Sequence, residues 1–149
     1  MIINDNLDKD LVLFELESSD KEGVLREMVA ALNTKDVKLD AEAALKVLIT
    51  REKLGTTGIG DGIAIPHGKL ECLENIFVVV GRSGRGIDFE ALDGKPCHIF
   101  FMVLAPDQGA GTHLKVLAQI SKQLKDETYR DAFKNAQNQQ ELLNLLNIT

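Results

Sequence analysis

Two histidines stand where the backbone rules leave them free to react. His67 lies between Pro66 and Gly68, at the end of the apolar run Ile63-Ala64-Ile65 and behind the glycines Gly58, Gly60 and Gly62. Pro66 fixes φ and brings no N–H donor, and Gly68 lets other backbone come close to the ring. This frame predicts a histidine held at a strand end, outside the core. An imidazole there can serve as nucleophile, base or metal ligand. His113 directly follows Thr112, the expected N-cap of a late helix, whose first-turn N–H groups lack partners and favour an anion. Gly109-Ala110-Gly111 leaves those donors uncovered. The two rings could enclose one phosphoryl group; on the residues alone, His113 could equally just cover the helix end. Arg51, in the last turn of an earlier helix, offers either a fixed positive charge or a solvated side chain that suits the helix dipole.

Several other chemistries fail on spacing. In the dinucleotide pattern G-x-G-x-x-G, Gly58 and Gly60 are followed by Ile63 where the third glycine belongs, and the cluster follows a helix instead of a strand. In the phosphate-loop pattern, Gly62 to Gly68 is one residue too long and Leu70 replaces the magnesium-binding hydroxyl. The glycines fit either a flexible connection into the next strand or a loop that admits a partner's surface. His67, His98 and His113 contain no closely spaced ligand pair, which argues against zinc. His98 is read as structural. A Cys72–His67 dyad lacks an orienting or oxyanion signature, and Ser83-Gly84-Arg85-Gly86 is most simply a turn. No metal or cofactor is called for.

The positioning elements follow from periodicity and caps. Leu11 to Leu16 reads as a first strand. Ser19-Asp20-Lys21-Glu22 is a capping box, with Ser19 as N-cap, opening a helix with Val24, Leu25, Met28, Val29 and Leu32 on one face. Asp40 caps a second helix through Leu54, with Ala44, Leu45, Leu48 and Ile49 inward, and Gly55 ends it. Ile63-Ala64-Ile65 is a short strand. Ile76–Val80 and Cys97–Leu104 are continuous apolar strands without alternation, which predicts a sheet covered on both faces. Gly81 to Gly94 fits a hairpin or a short edge strand. Thr112 opens a helix to about Lys125, with Leu114, Leu117, Ala118, Ile120 and Leu124 as its apolar positions, and Asp126 and Asn138 mark two further helix starts.

Size and composition agree with one layered α/β domain over residues 1–149. Net charge is −6, there is no Trp and only one Tyr, so neither a basic nucleic-acid surface nor a stacking platform is expected. The sequence begins without a signal-peptide pattern, and no run is long enough to span a membrane. With two cysteines outside any C-x-x-C pattern, the expectation is a cytoplasmic protein with reduced thiols.

The segment Gly58 to Lys69 resembles the active-site motif of the enzyme IIA domains of the bacterial phosphotransferase system, fructose/mannitol type, and looks most similar to the fructose-specific and nitrogen-regulatory branches. Thr50-Arg51-Glu52-Lys53-Leu54 looks like that family's helix end, and Thr112-His113-Leu114 like its second-histidine motif. The resemblance covers nearly the whole chain. It implies a mixed β-sheet, of about five strands, with helices on both faces. It implies a phosphoryl carrier in which His67 accepts the group from HPr or an HPr-like protein. His67 then passes it to a cysteine on an enzyme IIB domain, or its phosphorylation state regulates partner proteins. His113 and Arg51 would bind and orient the phosphoryl group, and Ile59, Ile63 and Ile65 could dock a partner. A binding module on the same fold without phosphorylation is the alternative.

Overall fold

The computed structural model of the chain describes residues 7–35, 39–107 and 110–148. Its centre is a six-stranded mixed sheet in which two long strands carry the rest. These are β5 (Phe77–Ile87) and β6 (Cys97–Pro106), paired antiparallel from Phe77 opposite Leu104 to Ile87 opposite Cys97. Outside β5, β1 (Val12–Leu13) pairs parallel with Val80 and Gly81. Outside β6, two short parallel strands share one edge. β3 (Ile63–Ala64) takes the first part, opposite Ile99 and Phe100, and β4 (His67–Leu70) the last, from Val103 to Pro106. The strand β2 (Gly58–Gly60) closes the edge as an antiparallel partner of β3.

Side chains alternate across a strand, so a continuous apolar run feeds two cores. On one face Val79, Phe100, Met102 and Leu104 meet α1 (Lys21–Lys35) and α2 (Ala41–Leu54), with Met28, Leu32 and Leu48 fully buried. The opposite face presents Val78, Val80, Ile99, Phe101 and Val103 to α3 (Ala110–Gln123), α4 (Glu127–Lys134) and α5 (Gln139–Leu145). The five buried positions expected for α1 are the five observed. Asp40 caps α2 by accepting the Ala43 N–H, and Asp126 and Asn138 cap α4 and α5 in the same way.

Local details depart from the sequence reading, each for a visible reason. The first strand shrinks to Val12–Leu13, because Lys9–Leu11 form a 3-10 turn capped by Asp8. Asp20, not Ser19, caps α1: its carboxylate accepts the Gly23 N–H at 2.7 Å. The stretch Ser83–Gly86 is not a turn but the irregular continuation of β5, whose register shifts between Arg82 and Ile87. Glu15 holds it there, accepting from Gly84 N–H at 2.9 Å and from the Arg82 guanidinium at 2.9 Å. The sheet has six strands, in keeping with the about five expected, with β2 and β4 joining it. Thr112 does not cap α3, which begins at Ala110 and turns His113, Val116, Ile120 and Leu124 inward. Leu114 and Ala118 point outward instead. The expected Gly109 contribution lies outside the described residues.

Candidate functional site

The glycine string is a hairpin with defined geometry. Gly60 pairs with Ile63, leaving Asp61-Gly62 as a two-residue loop, and both loop residues have positive φ, 57° and 77°. That is the Asp-Gly signature of the tight turn that matches strand twist. The Asp93 carboxylate braces it by accepting the Asp61 N–H at 3.2 Å and the Lys95 N–H at 3.0 Å. These backbone bonds, the Lys95 one foremost, hold its carboxyl below the usual 3.8.

Beyond β3 the chain breaks for two residues, Ile65 and the buried Pro66, and then re-pairs with β6 as β4. His67 therefore opens a strand instead of closing one. The Pro66 carbonyl accepts the Val103 N–H at 2.9 Å, and the Ile65 N–H donates to the Thr57 carbonyl at 3.1 Å. The His67 ring turns back on this break, its Nδ1 lying 2.8 Å from the Ile65 carbonyl oxygen. A carbonyl can only accept, so Nδ1 carries a proton, and in the neutral ring the lone pair is then on Nε2. Gly68 serves a close approach of another kind than expected: a Cβ there would lie 2.3 Å from Val47 Cγ1 on α2. The residue lets a helix, not backbone, pack against the strand.

α3 follows β6 and brings His113, the fourth residue of that helix, back beside His67. The ring centroids are 5.8 Å apart and tilted by 59°. His113 is 5% exposed, and its Nε2 is buried without a hydrogen-bond partner among the described residues. Burial above all, and then the neighbouring His67 and Lys69, holds its pKa below 6.5. The ring is thus biased toward neutrality, with a polar atom that has no partner among the described residues. A Cβ on Gly111 would meet nothing within 4 Å, so space over this first helical turn is open.

The other expected residues sort differently. The Arg51 guanidinium donates to the Gly55 carbonyl at 2.9 Å and caps its own helix; among the described residues no hydrogen bond joins it to either histidine. Its neighbour Glu52, which sequence reasoning passed over, is a buried carboxylate 8% exposed. Ile63 and Ile65 are buried in the core and cannot dock a partner, whereas Ile59 is 47% exposed and Leu114, beside His113, 64% exposed. His98 donates or accepts at the Ser83 carbonyl through Nδ1 at 2.8 Å, which for a carbonyl partner means it donates. Cys97 and Cys72 are both free; burial pushes the Cys97 thiol up to about 12, which removes it as a nucleophile near neutral pH. Among the described residues no cluster of histidine, cysteine or carboxylate could hold a metal ion. No helix among them is long and apolar enough to cross a membrane.

A mixed sheet with helices on both faces sets a part-buried imidazole, bonded through Nδ1, against a second whose Nε2 is buried without a partner among the described residues, and so defines a histidine-centred α/β domain. The chain belongs to the EIIA 2 family of the phosphoenolpyruvate-dependent sugar phosphotransferase system, whose model matches residues 5–148. It is 38% identical over 146 residues to a nitrogen regulatory protein of Bradyrhizobium diazoefficiens, covering 98% of this chain and 95% of that one. It is 36% identical over 147 residues to the fructose-specific EIIABC component of Bacillus subtilis, covering 99% of this chain but 23% of that protein. The crystal structure of nitrogen regulatory protein IIA-Ntr from Neisseria meningitidis superposes with a TM-score of 0.90 at 27% identity, covering 98% of this chain and 99% of that one. The mannitol IIA of Escherichia coli, in its complex with phosphorylated mannitol IIB, shares the fold with a TM-score of 0.79 at 22% identity, covering 95% and 96%.

Proposed function

We propose that this protein is a phosphoryl carrier in which His67 Nε2 accepts a phosphoryl group from the phosphohistidine of HPr or an HPr-like protein. The Nε2 lone pair forms the new N–P bond as the donor's P–N bond breaks and its electron pair returns to the donor ring. Onward transfer reverses the roles: a thiolate on an enzyme IIB domain attacks phosphorus and Nε2 leaves with its pair. Where the downstream protein is a regulated partner, the same phosphorylated state is the signal. Sequence relatives of both kinds support these two uses.

The observation that carries this reading is the orphaned Nε2 of His113 beside His67. A buried polar atom without a partner is costly. A phosphoryl oxygen on His67 would supply the missing acceptor, and the first-turn N–H groups of α3 would add to it. In-line phosphoryl transfer needs such placed donors more than it needs covalent chemistry. His113 holds the group without carrying it, because its ring is the more buried of the two. Arg51, in the last turn of α2, would add positive charge for the phosphoryl group, and exposed Leu114 offers an apolar contact for a docking partner.

Incubation with phosphorylated HPr, followed by intact mass and site mapping, tests this. One acid-labile phosphoryl group on His67 is expected, and none in His67→Ala. A full equivalent taken up by His67→Ala would reject it.

A further inference from the structure

The site loop is tied to a buried charge by an unbroken series of hydrogen bonds. Glu52, in the last turn of α2, receives Lys21 Nζ from α1 at 2.9 Å. Its Oε1 accepts the Thr57 N–H at 3.0 Å, and its Oε2 accepts the Thr57 hydroxyl. The Thr57 carbonyl accepts the Ile65 N–H at 3.1 Å. The Ile65 carbonyl in turn accepts from His67 Nδ1 at 2.8 Å. Lys21 is fixed from a second side by the Phe89 ring, 4.7 Å from Nζ to the centroid. Burying a carboxylate costs stability unless its oxygens are satisfied, and here every donor it takes serves to fix Thr57 or Lys21.

We propose that Glu52 is a positioning residue for His67. By gripping Thr57 at both N–H and hydroxyl, it sets the Thr57 carbonyl that holds Ile65, and so the Ile65 carbonyl that selects the Nδ1–H tautomer. An imidazole without such a partner favours the other neutral tautomer, with its proton on Nε2, where it would block attack. The ring's reactive nitrogen is thus chosen by a side chain two peptide contacts away. The tautomer effect stands on the geometry alone; its consequence for transfer rests on His67 being the phosphoryl acceptor.

Ring 15N NMR of His67 in the full chain reads the tautomer directly, and potassium phosphoramidate, which loses ammonia as its P–N bond breaks, reads the reactive nitrogen without a protein donor. The wild type is expected to be mostly Nδ1–H and to be phosphorylated on Nε2. Glu52→Ala should lower the tautomer ratio about tenfold, about the worth of the His67 Nδ1–H bond to the Ile65 carbonyl that it helps to set, and give mixed Nε2 and Nδ1 adducts. Glu52→Gln keeps an acceptor for the Thr57 N–H and should restore most of the ratio, a rescue that a merely structural role would not produce in the tautomer signal. Should Glu52→Ala not fold, Thr57→Val removes only the hydroxyl bond and should shift the ratio in the same direction by a smaller factor. Wild-type tautomer ratios in folded Glu52→Ala, or in Thr57→Val if that variant must stand in, overturn the proposal. Shifted ratios with no adduct on His67 in any variant would instead leave the positioning intact and remove the acceptor role.

Discussion

His113 combines near-complete burial with a pKa held below 6.5, and both features have consequences that can be measured. A histidine whose folded pKa lies below its unfolded one binds fewer protons in the folded state between the two values, so stability rises with pH through that window. Its contribution is fully present above about 6.5 and is lost as pH falls through the folded value. Denaturant titrations between pH 7.5 and 5 should therefore show a loss of stability that His113→Phe flattens. Phosphorylation of His67 would place a dianion beside this ring and favour its charged form. NMR titration should find the His113 pKa higher in phosphorylated protein than in unmodified protein; an unchanged value would separate the two rings functionally. Arg51→Ala should remove the Gly55 contact at the helix end for about 0.5–1 kcal/mol and slow transfer while the fold persists, with lysine restoring only part of the rate. The pairing of His67 with His113 was foreshadowed in the sequence by a Pro-His-Gly run and a helix terminus, whereas Arg51, singled out by its own helix terminus, bonds to the Gly55 carbonyl there. Glu52 was not foreshadowed, since a charged residue in a helix's last turn looks solvated until the strand that buries it is in place.

At the scale of elements, the close packing of α2 on β4 depends on the absence of one Cβ. Gly68→Ala should push Val47 and its helix off the strand and cost about 1–3 kcal/mol, read by chemical denaturation. Pairing it with Val47→Ala should recover much of that loss, and no recovery would mean that strand geometry, not the helix contact, sets the cost. The helices were legible from apolar spacing: the buried face of α1 came out residue by residue, and that of α2 at Ala44, Leu45 and Leu48, with Ile49 only partly buried and Glu52 buried instead. The strands were legible where apolar runs made them, at the start of β5, over most of β6 and in shortened form at β1 and β3. β2 and β4 escaped notice because Gly58–Gly60 and His67–Leu70 lack apolar strand character; they are strands because β3 and β6 offer them unpaired edges. The Asp61-Gly62 turn carried a hairpin signal that the histidine frame overshadowed. On α3, the position of Thr112 suggested a cap, but the sheet selects Val116 in place of Leu114 as the buried residue.

Over the whole molecule, the sheet separates two apolar cores that do not share side chains. Phe133→Ala, which removes the ring packed 6.0 Å from Phe101, should cost about 3–5 kcal/mol, and Met28→Ala on the other face about 2–5 kcal/mol. Their effects should add to within about 0.5 kcal/mol in thermodynamic cycles, because the two residues belong to different cores; a larger coupling would mean that the sheet transmits strain between faces. The parallel pairings bear on time as well as on stability. Val12 must find Val80, and His67 must find Val103, across long intervening stretches of chain. Such closures come late and slowly in folding, after local helices have formed. A nascent or refolding chain would then acquire its helices well before it acquires a reactive imidazole, and competence to carry a phosphoryl group would mark the completion of folding itself.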